Sequence, residues 1–125
     1  MWIKKERVNM PYVNCIVSKE INQNDMEKLK VHIGDFINQM PGKSEEWLFV
    51  RFCDKQNLYF KGSNQENAAI VEIKLLGTQE IKHKDIFTSK ISELLEDELE
   101  IPKGNIYVVF FEVTDGNWGW NGELF

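Results

Sequence analysis

Apolar positions along the chain fall into strand-like alternations and helical stripes, and their order repeats. From Tyr12 to Ser18, Val13, Cys15 and Val17 take one face of a period-two pattern, which predicts a strand. Asn22 to Asp25 then supply capping residues, and Met26, Leu29, Ile33, Phe36, Ile37 and Met40 recur at three- and four-residue steps, one apolar stripe on a helix. Pro41-Gly42 ends that helix, and Trp47 to Cys53 reads as an aromatic and β-branched strand. A polar, turn-rich linker around Gly62-Ser63-Asn64 separates this unit from a second one. There Ala69, Val71, Ile73 and Leu75 alternate with Ile70, Glu72 and Lys74 in a strand from Ala68 to Leu76, closed by Gly77. Asp85 to Leu99 follows as a helix with Phe87, Ile91, Leu94, Leu95 and Leu99 inward, and Pro102-Lys103-Gly104-Asn105 turns the chain into Ile106 to Val113.

The pattern is therefore β-α-β twice, an α/β (α+β) plan. Right-handed crossovers put both helices on one face of a single four-stranded mixed sheet. The opposite face still carries Tyr12 and Ile16 beside the polar Asn14, Glu72 and Lys74, so it has to be covered by something else. Three copies could enclose it; a dimer or a covering loop are the other solutions.

Composition narrows the class of protein. At 125 residues and 42% hydrophobic, the chain is long enough for one domain with a core, and it contains no run of eighteen apolar residues to cross a membrane. A soluble, cytoplasmic protein is the expectation. The net charge of -5 and the scatter of basic among acidic residues argue against nucleic acid as a partner. Cys15 and Cys53 lie far apart in strand-like runs, and with His32 and His83 they make no ligand spacing, so neither a disulfide nor a metal site is expected. The acidic group Glu93, Glu96-Asp97-Glu98 and Glu100 reads as a solvated helix face.

Residues 1–9 stand apart from this plan. They hold no apolar run suited to a signal-peptide core, and Lys4-Lys5-Glu6-Arg7 reads as a solvated tail. One permitted coding of Lys5-Glu6 is AAGGAG, a bacterial ribosome-binding sequence, three codons before Met10. Translation is accordingly expected to start at Met10, with residues 10–125 as the domain; a frayed N-terminal extension is the competing reading. The difference is chemical. Released from Met10, Pro11 has a secondary amine that can take a proton; inside a longer chain its nitrogen is an amide and cannot.

Met10-Pro11-Tyr12-Val13-Asn14-Cys15-Ile16-Val17 resembles the start of macrophage migration inhibitory factor and its tautomerase relatives, whose mature chains begin with a free proline. The resemblance continues. Gly42-Lys43 stands where the family has its active-site lysine, Leu75-Leu76-Gly77 is similar to its Ser-Ile-Gly, and residues 100–107 are similar to its Arg-Ile-Ser-Pro-Asp-Arg-Val-Tyr. Asn117-Trp118-Gly119-Trp120-Asn121-Gly122-Glu123-Leu124-Phe125 resembles its Asn-Val-Gly-Trp-Asn-Asn-Ser-Thr-Phe.

The resemblance implies the tautomerase fold, a homotrimer around a central channel, and keto-enol tautomerisation of phenylpyruvate-like α-keto acids, with dopachrome as a further substrate and no cofactor. Pro11 is then the general base, which works best when its pKa lies near the operating pH. Lys43 lowers that pKa by its own charge, holds the substrate carboxylate and stabilises the developing oxygen charge. Leu76 contributes through its backbone, Tyr107 lines the pocket, and Trp47, Val109 and Phe111 form its walls. Trp118, Trp120 and Phe125 are assigned to a subunit boundary.

Departures from the family pattern refine this. Val109 replaces a pocket asparagine, which favours phenylpyruvate over its ring-hydroxylated form. Trp47 and Phe111 keep apolar walls while removing hydroxyls. Asn67 and Ile70 replace the Cys-x-x-Cys pair, so thiol-disulfide chemistry of that kind is not expected. The alternative reading is a non-catalytic trimer that binds a receptor or host protein, as the family's cytokine does, with export by a route that needs no signal peptide.

Overall fold

The computed structural model describes residues 10–125, so the expectations placed on Met1 to Asn9 lie outside the described residues. Strand β1 (Pro11–Val17) is followed by helix α1 (Gln23–Asn38), a 3-10 turn (Glu45–Trp47) and β2 (Phe49–Cys53). Strand β3 (Ala69–Leu76), helix α2 (Ile81–Leu99), a second 3-10 turn (Lys103–Asn105) and β4 (Ile106–Val113) repeat the unit. A short hairpin, β5 (Gly119–Trp120) and β6 (Glu123–Leu124), completes the order.

The four long strands form one mixed sheet in the order β2-β1-β3-β4. Within each half the strands run parallel, β1 with β2 and β3 with β4, while β1 and β3 join the halves antiparallel. Pro11 pairs with Leu75, which pairs with Glu112, so these three residues form one row across the sheet.

Side chains alternate as the sequence requires. Val13, Cys15 and Val17 meet Ala69, Val71, Ile73 and Leu75 under the helices, and Leu29, Ile33 and Ile37 of α1 and Phe87, Ile91 and Leu95 of α2 complete the core. Burial pushes the Cys15 thiol up to about 12, so it behaves as a small apolar side chain. Cys53 is free and half-buried.

Helix α1 begins as expected: the Asn22 side-chain oxygen accepts from the Asp25 amide at 2.8 Å. Two boundaries differ from the pattern reading. Helix α2 starts at Ile81, four residues before Asp85, because the Glu80 carbonyl accepts from the His83 and Lys84 amides. Ile81 is 80% exposed, so that first turn carries no inward residue for periodicity to detect. Trp47 lies in the 3-10 turn, not in β2, because Ser44 caps the turn by accepting from the Glu46 amide and the strand register starts at Phe49 opposite Tyr12. Met40 is buried but lies beyond the end of α1.

The face away from the helices has three rows of side chains. Tyr12, Lys74 and Phe111 form one, Asn14, Glu72 and Val109 the next, and Ile16, Ile70 and Tyr107 the last. Lys74 Nζ lies 5.5 Å from the Tyr12 ring centre and 5.6 Å from that of Phe111. Asn14 donates to Glu72 at 3.3 Å, while its buried side-chain oxygen has no hydrogen-bond partner. No described helix is long and apolar enough to cross a membrane.

Candidate functional site

Pro11 opens β1 at the rim of a cleft of about 730 Å³. The floor and walls come from three places: Tyr12 beside the proline, the 3-10 turn with Glu46 and Trp47, and Trp118 and Trp120 from the C-terminal hairpin. Phe49 and Arg51 of β2 close the far side. The cleft is thus lined largely by aromatic side chains, with Pro11, one arginine and one glutamate among them.

Local chemistry explains why the tryptophans converge. Asn121 and Gly122 have φ of 52° and 80°, the left-handed pair of a tight hairpin turn. That turn folds β6 back on β5, and the Phe125 amide donates to the Trp118 carbonyl at 2.9 Å. Trp120 then meets Trp47 edge to face, with ring centres 4.8 Å apart at 88°, a favourable aromatic geometry. Trp118 and Trp120, assigned from sequence to a subunit boundary, therefore line the cleft within one chain. The Asn121-Gly122 dipeptide was the signal for this hairpin, a strong short-range turn mark.

Lys43 lies between α1 and the first 3-10 turn. It is 7% exposed, and its amine donates to the Leu76 carbonyl at 2.8 Å. The Leu76 amide in turn approaches the Met10 carbonyl at 3.4 Å. One residue, Leu76, therefore links the lysine to the Met10-Pro11 peptide through its backbone. Gly77 follows with φ 89°, turning the chain out of β3, and its amide donates to Val113 at 2.9 Å. Burial lowers the Lys43 pKa from 10.5 to about 8, while the negative charge of Glu112 acts the other way. The amine can thus change charge near neutral pH.

The remaining expected residues lie elsewhere in the chain. Tyr107, Val109 and Phe111 are on β4, on the helix-free face, at 61%, 38% and 41% exposure. Tyr107 is five residues along β4 from Glu112, the row of Pro11, or about 17 Å at strand rise. Its ring packs edge to face on Phe60 instead. A single chain puts Pro11 and Trp47 on the cleft, joins Lys43 to Leu76 by a hydrogen bond outside the cleft lining, and leaves Tyr107, Val109 and Phe111 on the helix-free face. Among the described residues no cluster of His, Cys, Asp and Glu is arranged to hold a metal.

Comparison with known proteins agrees with the fold. The Brugia malayi macrophage migration inhibitory factor homolog is 26% identical over 117 residues, covering 93% of this chain and 99% of its own. The crystal structure of Leishmania major MIF2 superimposes with a TM-score of 0.85 at 28% identity, over 94% of this chain and 98% of that one. The macrophage migration inhibitory factor-like protein of Entamoeba histolytica shares the fold with a TM-score of 0.82 at 22% identity, over 93% of this chain and 99% of that one. The family model for macrophage migration inhibitory factor matches residues 10–125, which is every residue of the described domain, and the chain belongs to that family.

Proposed function

We propose that this protein is a keto-enol tautomerase of phenylpyruvate-like α-keto acids, with dopachrome as a further substrate, and that Pro11, freed from Met10, is its general base. The observation that carries the reading is that Pro11, on an aromatic cleft, pairs with Leu75 of β3, while the buried Lys43 amine is held on the carbonyl of the next residue, Leu76. A free Pro11 amine takes the proton from the carbon next to the keto group and returns it to oxygen or solvent. Lys43 supplies positive charge beside that amine and where the enolate oxygen forms, a preorganised arrangement that needs no movement during reaction. The aryl group stacks among Trp47, Trp118 and Trp120.

The assembly in this reading is a homotrimer with the helix-free face toward a central channel. Two observations support it: the exposed Phe49, Tyr107, Val109 and Phe111 on that face, and the buried Asn14 oxygen left without a partner, a state proteins rarely tolerate. A neighbouring copy would then bring Tyr107 to the cleft that its own chain leaves open.

A specific observation favours a second reading, a non-catalytic binding trimer that engages a receptor or host protein. With Met10 in place, the residue is 3% exposed and lines the cleft, and the Pro11 nitrogen is an amide. Intact mass of the protein from its native cell, with a phenylpyruvate assay on the same sample, separates the two. A mass starting at Pro11 with turnover is the expected result, and a mass that retains Met10 without turnover leaves the binding reading.

A further inference from the structure

We propose that Glu112, paired with Lys84, is a positioning residue for Lys43, clamping through Gln79 the two loops that fix the lysine amine. Its consequence for turnover rests on the tautomerase reading; its consequence at Lys43 does not.

The argument follows a closed circuit of contacts. Glu112 is in the row of Pro11 and Leu75, two strands across, about 10 Å at ordinary strand spacing. One of its carboxylate oxygens accepts from the Gln79 amide at 2.7 Å, and the other lies 3.3 Å from Lys84 Nζ on α2. The Gln79 side chain reaches back and donates to the Pro41 carbonyl at 2.6 Å, two residues before Lys43. The Lys43 amine donates to Leu76, three residues before Gln79. The loop after β3 therefore holds Lys43 from both ends, by its backbone approach at Pro41 and by its amine at Leu76. Glu112 ties this loop to β4 at Gln79, beyond the backbone bond from Gly77 to Val113.

The same carboxylate also acts by charge. Its own pKa is held below the carboxylate norm, first by the Gln79 amide and then by Lys84 and Lys43, so it is ionised at neutral pH. Its field favours the Lys43 ammonium against the desolvation that disfavours it. Lys84 of α2 faces Glu112 at 3.3 Å and partly offsets its charge, and Glu45 and Glu46 of the 3-10 turn follow Lys43 closely in sequence. Glu46 is at the margin of the cleft and Glu45 packs toward Gly34 of α1.

Two substitutions separate position from charge. Glu112→Gln keeps an oxygen for the Gln79 amide and removes the charge; Glu112→Ala removes both. We expect Glu112→Gln to lower the Lys43 pKa, read by NMR of lysine labelled at Cε, by about half a unit, and Glu112→Asp to restore most of it. Glu112→Ala should in addition speed hydrogen exchange of the Gln79 amide about tenfold or more. In the protein started at Pro11, the basic limb of the phenylpyruvate kcat profile should move to lower pH in Glu112→Gln by the same amount as the NMR value. An unchanged Lys43 titration in Glu112→Gln, or unchanged Gln79 exchange in Glu112→Ala, overturns the proposal in folded protein. A Lys43 response without any phenylpyruvate turnover upholds the clamp and removes the tautomerase reading instead.

Discussion

The two halves of the sheet follow their helices with similar residues, Pro41-Gly42-Lys43 and Pro102-Lys103-Gly104, yet the two lysines have opposite fates. Lys43 is buried, donates to Leu76, and has its pKa drawn down to about 8. Lys103 is solvent-facing, with its amine 4.0 Å from Glu96 and its side chain 55% exposed, an ion pair of little energetic weight. Both strand starts are buried, but Pro11 begins β1 on the aromatic cleft, whereas Ala69 begins β3 between Val17 and Ile106. Repetition of the β-α-β unit makes the fold, and the departures from repetition make the site.

Pro11→Gly, in the protein started at Pro11, is expected to have the largest effect and would break the comparison most directly. Phenylpyruvate enolisation should fall about 100-fold or more, the usual contribution of a general base, with the fold and oligomer unchanged. Turnover at the original rate removes the proline from the mechanism.

Exchanging the two lysines for methionine sharpens the contrast. Lys43→Met should lower kcat/KM for phenylpyruvate by about 10- to 100-fold, within the range of a lost charge stabiliser, while Lys103→Met stays within about twofold. Equal losses would mean that the buried environment of Lys43 has no chemical consequence.

The same pair tests burial through stability. Below about pH 8 Lys43 is charged in the folded and unfolded chain, and the folded chain bears the full cost of desolvating it. Between about 8 and 10.5 the folded protein releases that proton first, so stability relative to Lys43→Met rises as pH rises. Urea midpoints of the two proteins across that window, with Lys103→Met as the reference for general titration, check the sign. A constant difference removes the pKa argument.

The smallest expected effect concerns the helix starts. Asn22 caps α1 with its side chain, whereas Glu80 at the start of α2 makes no side-chain cap bond. Asn22→Ala should cost about 1 kcal/mol and Glu80→Ala only a few tenths, measured by urea unfolding. Similar costs would show that tertiary packing, not capping, fixes where α1 begins.

Much of the fold was legible because each element carries a strong local period. Val13, Cys15 and Val17, and Leu29, Ile33 and Ile37, mark faces that cannot be reversed without exposing the core. Boundaries were legible where a cap or an inward residue marks them: Asn22 marks the start of α1, whereas α2 has no side-chain cap and an exposed first turn at Ile81. The site was less legible. Pro11, Lys43 and Leu76 were singled out through resemblance alone, since a proline at a strand start and a lysine past a helix end are ordinary features by themselves. Trp118 and Trp120 were read as boundary residues because large aromatics dominate interface burial, and no periodicity places a hairpin of two-residue strands beside the cleft.

The sequence by itself determined two β-α-β units, the faces they bury and the family to which the chain belongs, because hydrophobic periodicity and local motifs act between near neighbours in the chain. Tertiary structure alone decided that Lys43, and not Lys103, lies out of water, and that Trp47 and Trp120 meet beside Pro11. Desolvation and aromatic contact depend on groups distant in sequence, so their effect on a side chain exists only once the sheet is assembled around it.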